Sequence, residues 1–162
     1  MFSNDDPQPR KVLFLFPQGK ERFLDSIPVI EELERYQDEG TIQLAIPDPM
    51  REFTPPTRHK VFFYPVLKGT PPRVDLPVLE VRYQHETFDA VINLDPVLDR
   101  RLMRILRVIT VPKRIGFAGP GSDDIYNIQI DPGEPESLAG SYTQIMALCD
   151  LGKPATEPNQ PA

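Results

Sequence analysis

Three groups of residues in this 162-residue sequence have types and spacings that suit chemistry. The first is the run Pro17-Gln18-Gly19-Lys20, with Arg22 just beyond it, set between an apolar stretch and a helical pattern. In an α/β fold that position joins the carboxyl end of a strand to the first turn of a helix. Unpaired N–H groups and the positive end of the helix dipole face outward there and suit an anion. The run has a single glycine. It matches neither the Gly-x-Gly-x-x-Gly fingerprint nor a phosphate-binding P-loop, and it also reads as a plain tight turn.

The second group is a set of carboxylates, Asp25, Asp48, Asp95, Asp123 and Asp124, at the ends of predicted elements. General acid–base work needs such a group in a cleft with a displaced pKa. Asp95 is followed by Pro96, the pairing expected of a helix start, so a capping role competes with a ligand role. Asp123 and Asp124 read as turn residues. The third group is Arg100, Arg104 and Arg107, on one face of a predicted helix with Arg101 beside them. Such a basic face could meet a phosphate, an anionic lipid or an acidic partner. A solvated face supported by the helix dipole is the competing reading.

Gln18, Gly19, Lys20, Arg22 and Asp95 are therefore the candidate ligand-binding residues, and Arg100, Arg104 and Arg107 the basic face. His59 and His85 stand in polar loops and are expected at the surface, whereas Cys149 falls on an apolar stripe and is expected in the core. Two histidines and one thiol do not make a zinc site of the usual kinds, so no metal is expected, and no cofactor. No serine has a histidine and an acid in a recognisable motif.

The elements that must position these groups alternate along the chain. Lys11 to Phe16 is a continuous apolar run, as expected of a strand covered on both faces. A helix is predicted over Arg22 to Gln37, with Phe23, Ile27, Ile30 and Leu33 on one stripe. Pro28 is placed in or near its first turn, with Asp25 or Ser26 as cap and Gly40 as stop. Strands are predicted at Thr41 to Ile46 and Val61 to Val66, joined by irregular chain. Lys68 to Pro77 reads as a proline-rich loop and Leu79 to Tyr83 as a short extended piece. Asp89 to Leu94 is the next strand. The helix opened by Asp95-Pro96 follows, with Leu98, Leu102, Ile105 and Ile109 buried. Arg114 to Phe117 and Tyr126 to Ile130 are strands, the second at an edge, and a last helix covers Pro135 to Leu151. This order predicts one open, mostly parallel Rossmann-like sheet with flanking helices over residues 11–152. Residues 1–10 and 153–162 read as disordered arms.

Composition bounds the rest. A net charge of −6 argues against a general nucleic-acid binder. Twenty prolines, more than twice the usual ~5%, imply stiff, extended loops. The amino-terminal residues lack the layout of a signal peptide, and no run approaches the ~20 apolar residues of a membrane span. A cytoplasmic protein is expected, with any membrane contact peripheral.

Phe88-Asp89-Ala90-Val91-Ile92-Asn93-Leu94 resembles the tyrosine-aspartate-hydrophobic-isoleucine-aspartate-leucine strand of glycosyltransferase family 9, the lipopolysaccharide heptosyltransferases. Arg114-Ile115-Gly116-Phe117 resembles that family's arginine-isoleucine-glycine strand, and the first strand and the helix carrying Pro28 fall in the same order. The likeness covers roughly residues 11–130 and implies the acceptor-binding, amino-terminal half of a GT-B fold. The family's nucleotide-sugar sits on a second domain, and residues 11–152 are expected to make one domain only. Aligning on Pro28 puts Glu21 and Arg22 where the family carries its glycine-aspartate pair, and arginine does not serve as a general base. No catalytic residue is carried over. The expectation is a non-catalytic, glycosyltransferase-like domain that binds a ligand or a protein partner. The alternatives are the acceptor half of a split transferase completed by a second glycosyltransferase-like domain, or a nucleotide- or phosphate-binding α/β module.

Overall fold

The computed structural model describes residues 11–36, 41–69, 73–131 and 138–149. The arms expected at 1–10 and 153–162 lie outside those residues, as do Gly40, Pro135 and Leu151. Six strands form one wholly parallel sheet: β1 (Val12–Leu15), β2 (Ile42–Pro47), β3 (Lys60–Tyr64), β6 (Ala90–Asn93), β7 (Lys113–Phe117) and β8 (Ile128–Ile130). A small antiparallel hairpin, β4 (Val66–Leu67) with β5 (Arg73–Val74), lies outside it. The sheet order is β3-β2-β1-β6-β7-β8. The chain thus builds outward from β1 in one direction, then returns to β1's other side with β6 and builds the opposite way. The order is doubly wound, and it agrees with the open, mostly parallel Rossmann-like sheet expected from the sequence.

Alternation along the strands divides the core into two layers. Val12 and Phe14 of β1, with Ile42, Leu44 and Ile46 of β2, face helices α1 (Lys20–Leu33) and α3 (Leu138–Cys149). Leu13 and Leu15, with Ala45, Tyr64 and Val91, face α2 (Leu76–Tyr83) and the 3-10 turn Leu102–Arg107. Every residue of β1 is fully buried because both of its faces are covered. Phe23, Ile30 and Leu33 of the predicted stripe are buried and Ile27 is half-buried; Tyr142, Ile145 and Cys149 are buried on α3.

Several local expectations are corrected. Helix α1 starts at Lys20 with Gly19 as its cap, so Pro28 sits in the helix interior rather than the first turn. The position tolerates proline because Leu24, whose carbonyl loses its N–H partner, and Pro28 both face solvent. The segment predicted as extended is helix α2. Leu76, Leu79 and Tyr83 are its buried face, and Pro77 fixes its first turn. The helix expected after Asp95-Pro96 is instead a series of turns closed by the 3-10 turn Leu102–Arg107. Asp95 accepts the Val97 N–H (3.0 Å) and caps only a local turn, while Asp99 accepts the N–H groups of Arg101 (3.0 Å) and Leu102 (3.1 Å). Leu102, Ile105 and Ile109 remain buried, so the apolar positions hold although the helix does not. The connection from β2 to β3 contains the 3-10 turn Asp48–Phe53 and otherwise runs as irregular chain.

His59 is also a correction. It is buried, and its Nε2 lies 2.6 Å from the Leu33 carbonyl at the end of α1, while Nδ1 has no hydrogen-bond partner. His85 is exposed, as expected. Beside His59, Glu34 accepts bonds from the Thr57 hydroxyl and the Arg58 N–H, tying α1 to the start of β3. Burial pushes its carboxyl up. The Thr57 and Arg58 bonds, with the charges of His59 and Arg58, outweigh that and leave its pKa lowered.

Candidate functional site

Doubly wound sheets bind ligands at the carboxyl ends of the two strands where the winding reverses. Here those strands are β1 and β6, and the order of the sheet brings the Gln18 loop against Asp95. The Gln18 N–H donates to Asp95 Oδ2 (3.3 Å) and Arg22 Nε to Asp95 Oδ1 (2.8 Å). The Gln18 side-chain amide donates to Asp99 Oδ2 (3.1 Å). Asp95 is buried, whereas the Arg22 side chain is 37% exposed. The crevice therefore holds its own anion: the Asp95 carboxylate sits on the Gln18 N–H of the loop that leads into α1 and on the Arg22 side chain, beside the place where these folds bind a ligand's phosphate.

The other predicted loop residues are also engaged within the protein. Gly19 caps α1 and lies under the Arg22 guanidinium. Lys20 is exposed and places its ammonium 4.8 Å from the centre of the Phe53 ring. Tyr142 of α3 donates its hydroxyl to the Leu94 carbonyl (3.0 Å), closing the end of β6 from the other layer. Burial, then the negative charges of Asp95 and Asp25, push that phenol well up. Tyr64, the last residue of β3, is fully buried, and burial followed by the charges of Asp95 and Asp99 raises its phenol too. Of the remaining carboxylates, Asp25 is exposed, Asp48 pairs with Arg51 (2.8 Å) and Asp123 accepts the Gln129 side-chain amide (2.7 Å).

Two motif residues carry structure. Asn93 of β6 donates to the Tyr126 hydroxyl (2.7 Å) and accepts the Asp95 N–H (3.1 Å), which aims Asp95 into the crevice. Gly116 of β7 lies flat against the Tyr126 ring, leaving no room for a Cβ. Burial pushes the Tyr126 phenol up to about 12, against the lowering effect of the Asn93 bond and with a small push from Asp95.

A second, half-open concavity of about 880 Å³ lies between the β6–β7 connection and the β7–β8 loop. Arg100, Arg101 and Arg104 line it, together with Arg114 from β7 and Arg73 from the β4–β5 hairpin. Arg107 lies in the same 3-10 turn, but its side chain is outside the described ones. The structure thus brings Gln18, Gly19, Arg22 and Asp95 together and keeps the basic residues apart from them. Arg73 and Arg114 were missed by sequence reasoning. They are remote from Arg100 in the chain, and no local pattern marks them.

Among the described residues no group of three or more His, Cys, Asp or Glu side chains is placed to hold a metal, and no helix is long and apolar enough to cross a membrane. No protein-family model, curated protein or solved structure matches the chain.

Proposed function

We propose that the chain is a non-catalytic, glycosyltransferase-like binding domain. The lineage rests on the resemblance of residues 88–94 and 114–117 to the heptosyltransferase strands. The absence of transfer chemistry rests on one observation, the seating of the buried Asp95 carboxylate on Arg22 and the Gln18 N–H at the switch point. That carboxylate already accepts three donors with the Val97 N–H. Three of its acceptor sites are thus taken up by the fold. The position that aligns with the family's catalytic aspartate is Arg22, which neutralises an acid instead of supplying one.

The test is a transfer assay with ADP-heptose and a lipopolysaccharide-core acceptor, using the full chain. No turnover is expected. Robust turnover by the chain alone would overturn the reading. Turnover that appears only when a donor-binding domain is added in trans would favour the acceptor half of a split transferase.

A further inference from the structure

We infer that the arginine-lined concavity is a binding site for a small soluble ligand carrying two or more phosphate groups. Five arginines, Arg73, Arg100, Arg101, Arg104 and Arg114, line one concavity of about 880 Å³ in a chain whose net charge is −6. Among the described residues, none of the five is in an ion pair. Asp124 is the one carboxylate among the lining residues. Like charges gathered in a concavity repel one another, and without a counter-ion they cost stability. Among the described residues the lining sets five arginines against that one carboxylate.

The geometry suits phosphate more than a diffuse counter-ion. Each guanidinium is a planar fork that binds two oxygens of one phosphate. The groups come from three separate parts of the chain: the β4–β5 hairpin, the β6–β7 connection and β7. Arg114 is held in place by its Nε donating to the Ile125 carbonyl (2.8 Å). Arg100 rests on Gly121, whose φ of 80° and missing side chain admit the guanidinium; a Cβ there would collide with it. The volume lies within the usual range for a small-molecule site. Met103, Leu106 and Ile125 supply an apolar part of the wall that a base or sugar could cover.

This site is separate from the Asp95 crevice, and the inference stands whether or not the chain is glycosyltransferase-like. Isothermal titration calorimetry with inorganic tripolyphosphate, ATP and inorganic phosphate, at matched ionic strength, tests it. Saturable binding of tripolyphosphate and ATP is expected, with inorganic phosphate at least tenfold weaker. Tighter binding of ATP than of tripolyphosphate would place the base on the apolar wall, and equal binding would assign the affinity to the phosphates. Arg104→Ala and Arg100→Ala should each weaken tripolyphosphate at least tenfold, the loss of one charge-assisted contact. Arg51→Ala, which removes an exposed arginine elsewhere, should change affinity less than twofold. Because mutual repulsion is relieved, ligand-free Arg104→Ala should melt no lower than the parent chain. The inference is overturned if millimolar tripolyphosphate gives no saturable heat, or if Arg51→Ala weakens it as much as Arg104→Ala. Binding to phosphatidylglycerol vesicles with no tripolyphosphate binding would also overturn it, in favour of a membrane surface.

Discussion

Gly116→Ala should destabilise this protein far more than one methyl group ordinarily does. Replacing a strand glycine by alanine at an unstrained φ stabilises by about 0.4–1 kcal/mol, because the unfolded chain loses freedom. Gly116 has no positive φ to protect; among the described glycines only Gly121 does. Its requirement is the neighbouring ring: a Cβ would fall within Tyr126, against Cζ and both Cε atoms. Tyr126 is 5% exposed and fixed by Asn93 (2.7 Å), so it has no solvent to move into. Overpacking of this kind costs about 1–3 kcal/mol. Displacing the ring also breaks the Asn93–Tyr126 bond and leaves buried polar groups unpaired, at about 1–3 kcal/mol. A net loss of about 3 kcal/mol is expected, which for a chain of this size lowers Tm by roughly 6–12 °C. Thermal and urea unfolding of Gly116→Ala, Tyr126→Leu and the double variant form a cycle that isolates the clash. Leucine stops short of the Cζ and Cε positions, so on that background Gly116→Ala should cost less than about 1 kcal/mol, giving a coupling of about 2 kcal/mol. A Gly116→Ala variant as stable as the parent chain, or strictly additive variants, would refute the reasoning.

Other outcomes follow from the same geometry. Arg22→Ala leaves the buried Asp95 carboxylate with two backbone N–H donors and no counter-charge. It should lower stability by about 1–3 kcal/mol in urea unfolding, discounted from a fully buried pair because Arg22 is partly exposed. Pro28→Ala restores the missing donor to the Leu24 carbonyl on the solvent side of α1, and should raise stability by about 1–2 kcal/mol; a lower melting temperature would contradict this. The Cys149 thiol, pushed by burial up to about 12, should resist thiol reagents at pH 8 until the chain is unfolded. For Cys149 and Tyr126 the folded state holds its proton more tightly than the unfolded one. Their stabilisation is therefore complete below pH 9 and should be lost as pH rises toward about 12. Glu34 has the opposite sign: its lowered folded pKa stabilises above about pH 4.5, and that contribution should disappear on acidification, less steeply in Glu34→Gln.

The strands were legible because burial on both faces writes itself into the sequence as a dense apolar run. Lys11 to Phe16 and Asp89 to Leu94 each announce a central strand without reference to any partner, and Phe23, Ile30 and Leu33 mark the buried face of α1. The same signal misled where two explanations shared it. Leu79 to Tyr83 is short enough to be read as extended, and only its docking on the second layer, with Leu76 and Tyr83 on the same buried face, makes it helical. Asp95-Pro96 has the chemistry of a helix start, but the Arg22 and Gln18 groups that claim the carboxylate lie more than seventy residues away.

The sequence by itself therefore determined the open, mostly parallel Rossmann-like sheet, its central strands and the buried stripe of α1, since each follows from local periodicity and burial. The tertiary structure alone decided what the chemically capable residues do. The reversal of winding at β1 set the Asp95 carboxylate on the loop expected to hold a ligand. The packing of the β6–β7 connection against the hairpin and the β7–β8 loop gathered Arg73 and Arg114 beside Arg100, Arg101 and Arg104. The β3 approach carried His59 from a polar run into the interior. Each is a contact between segments far apart in the chain, and its energy depends on a neighbour that no local pattern specifies.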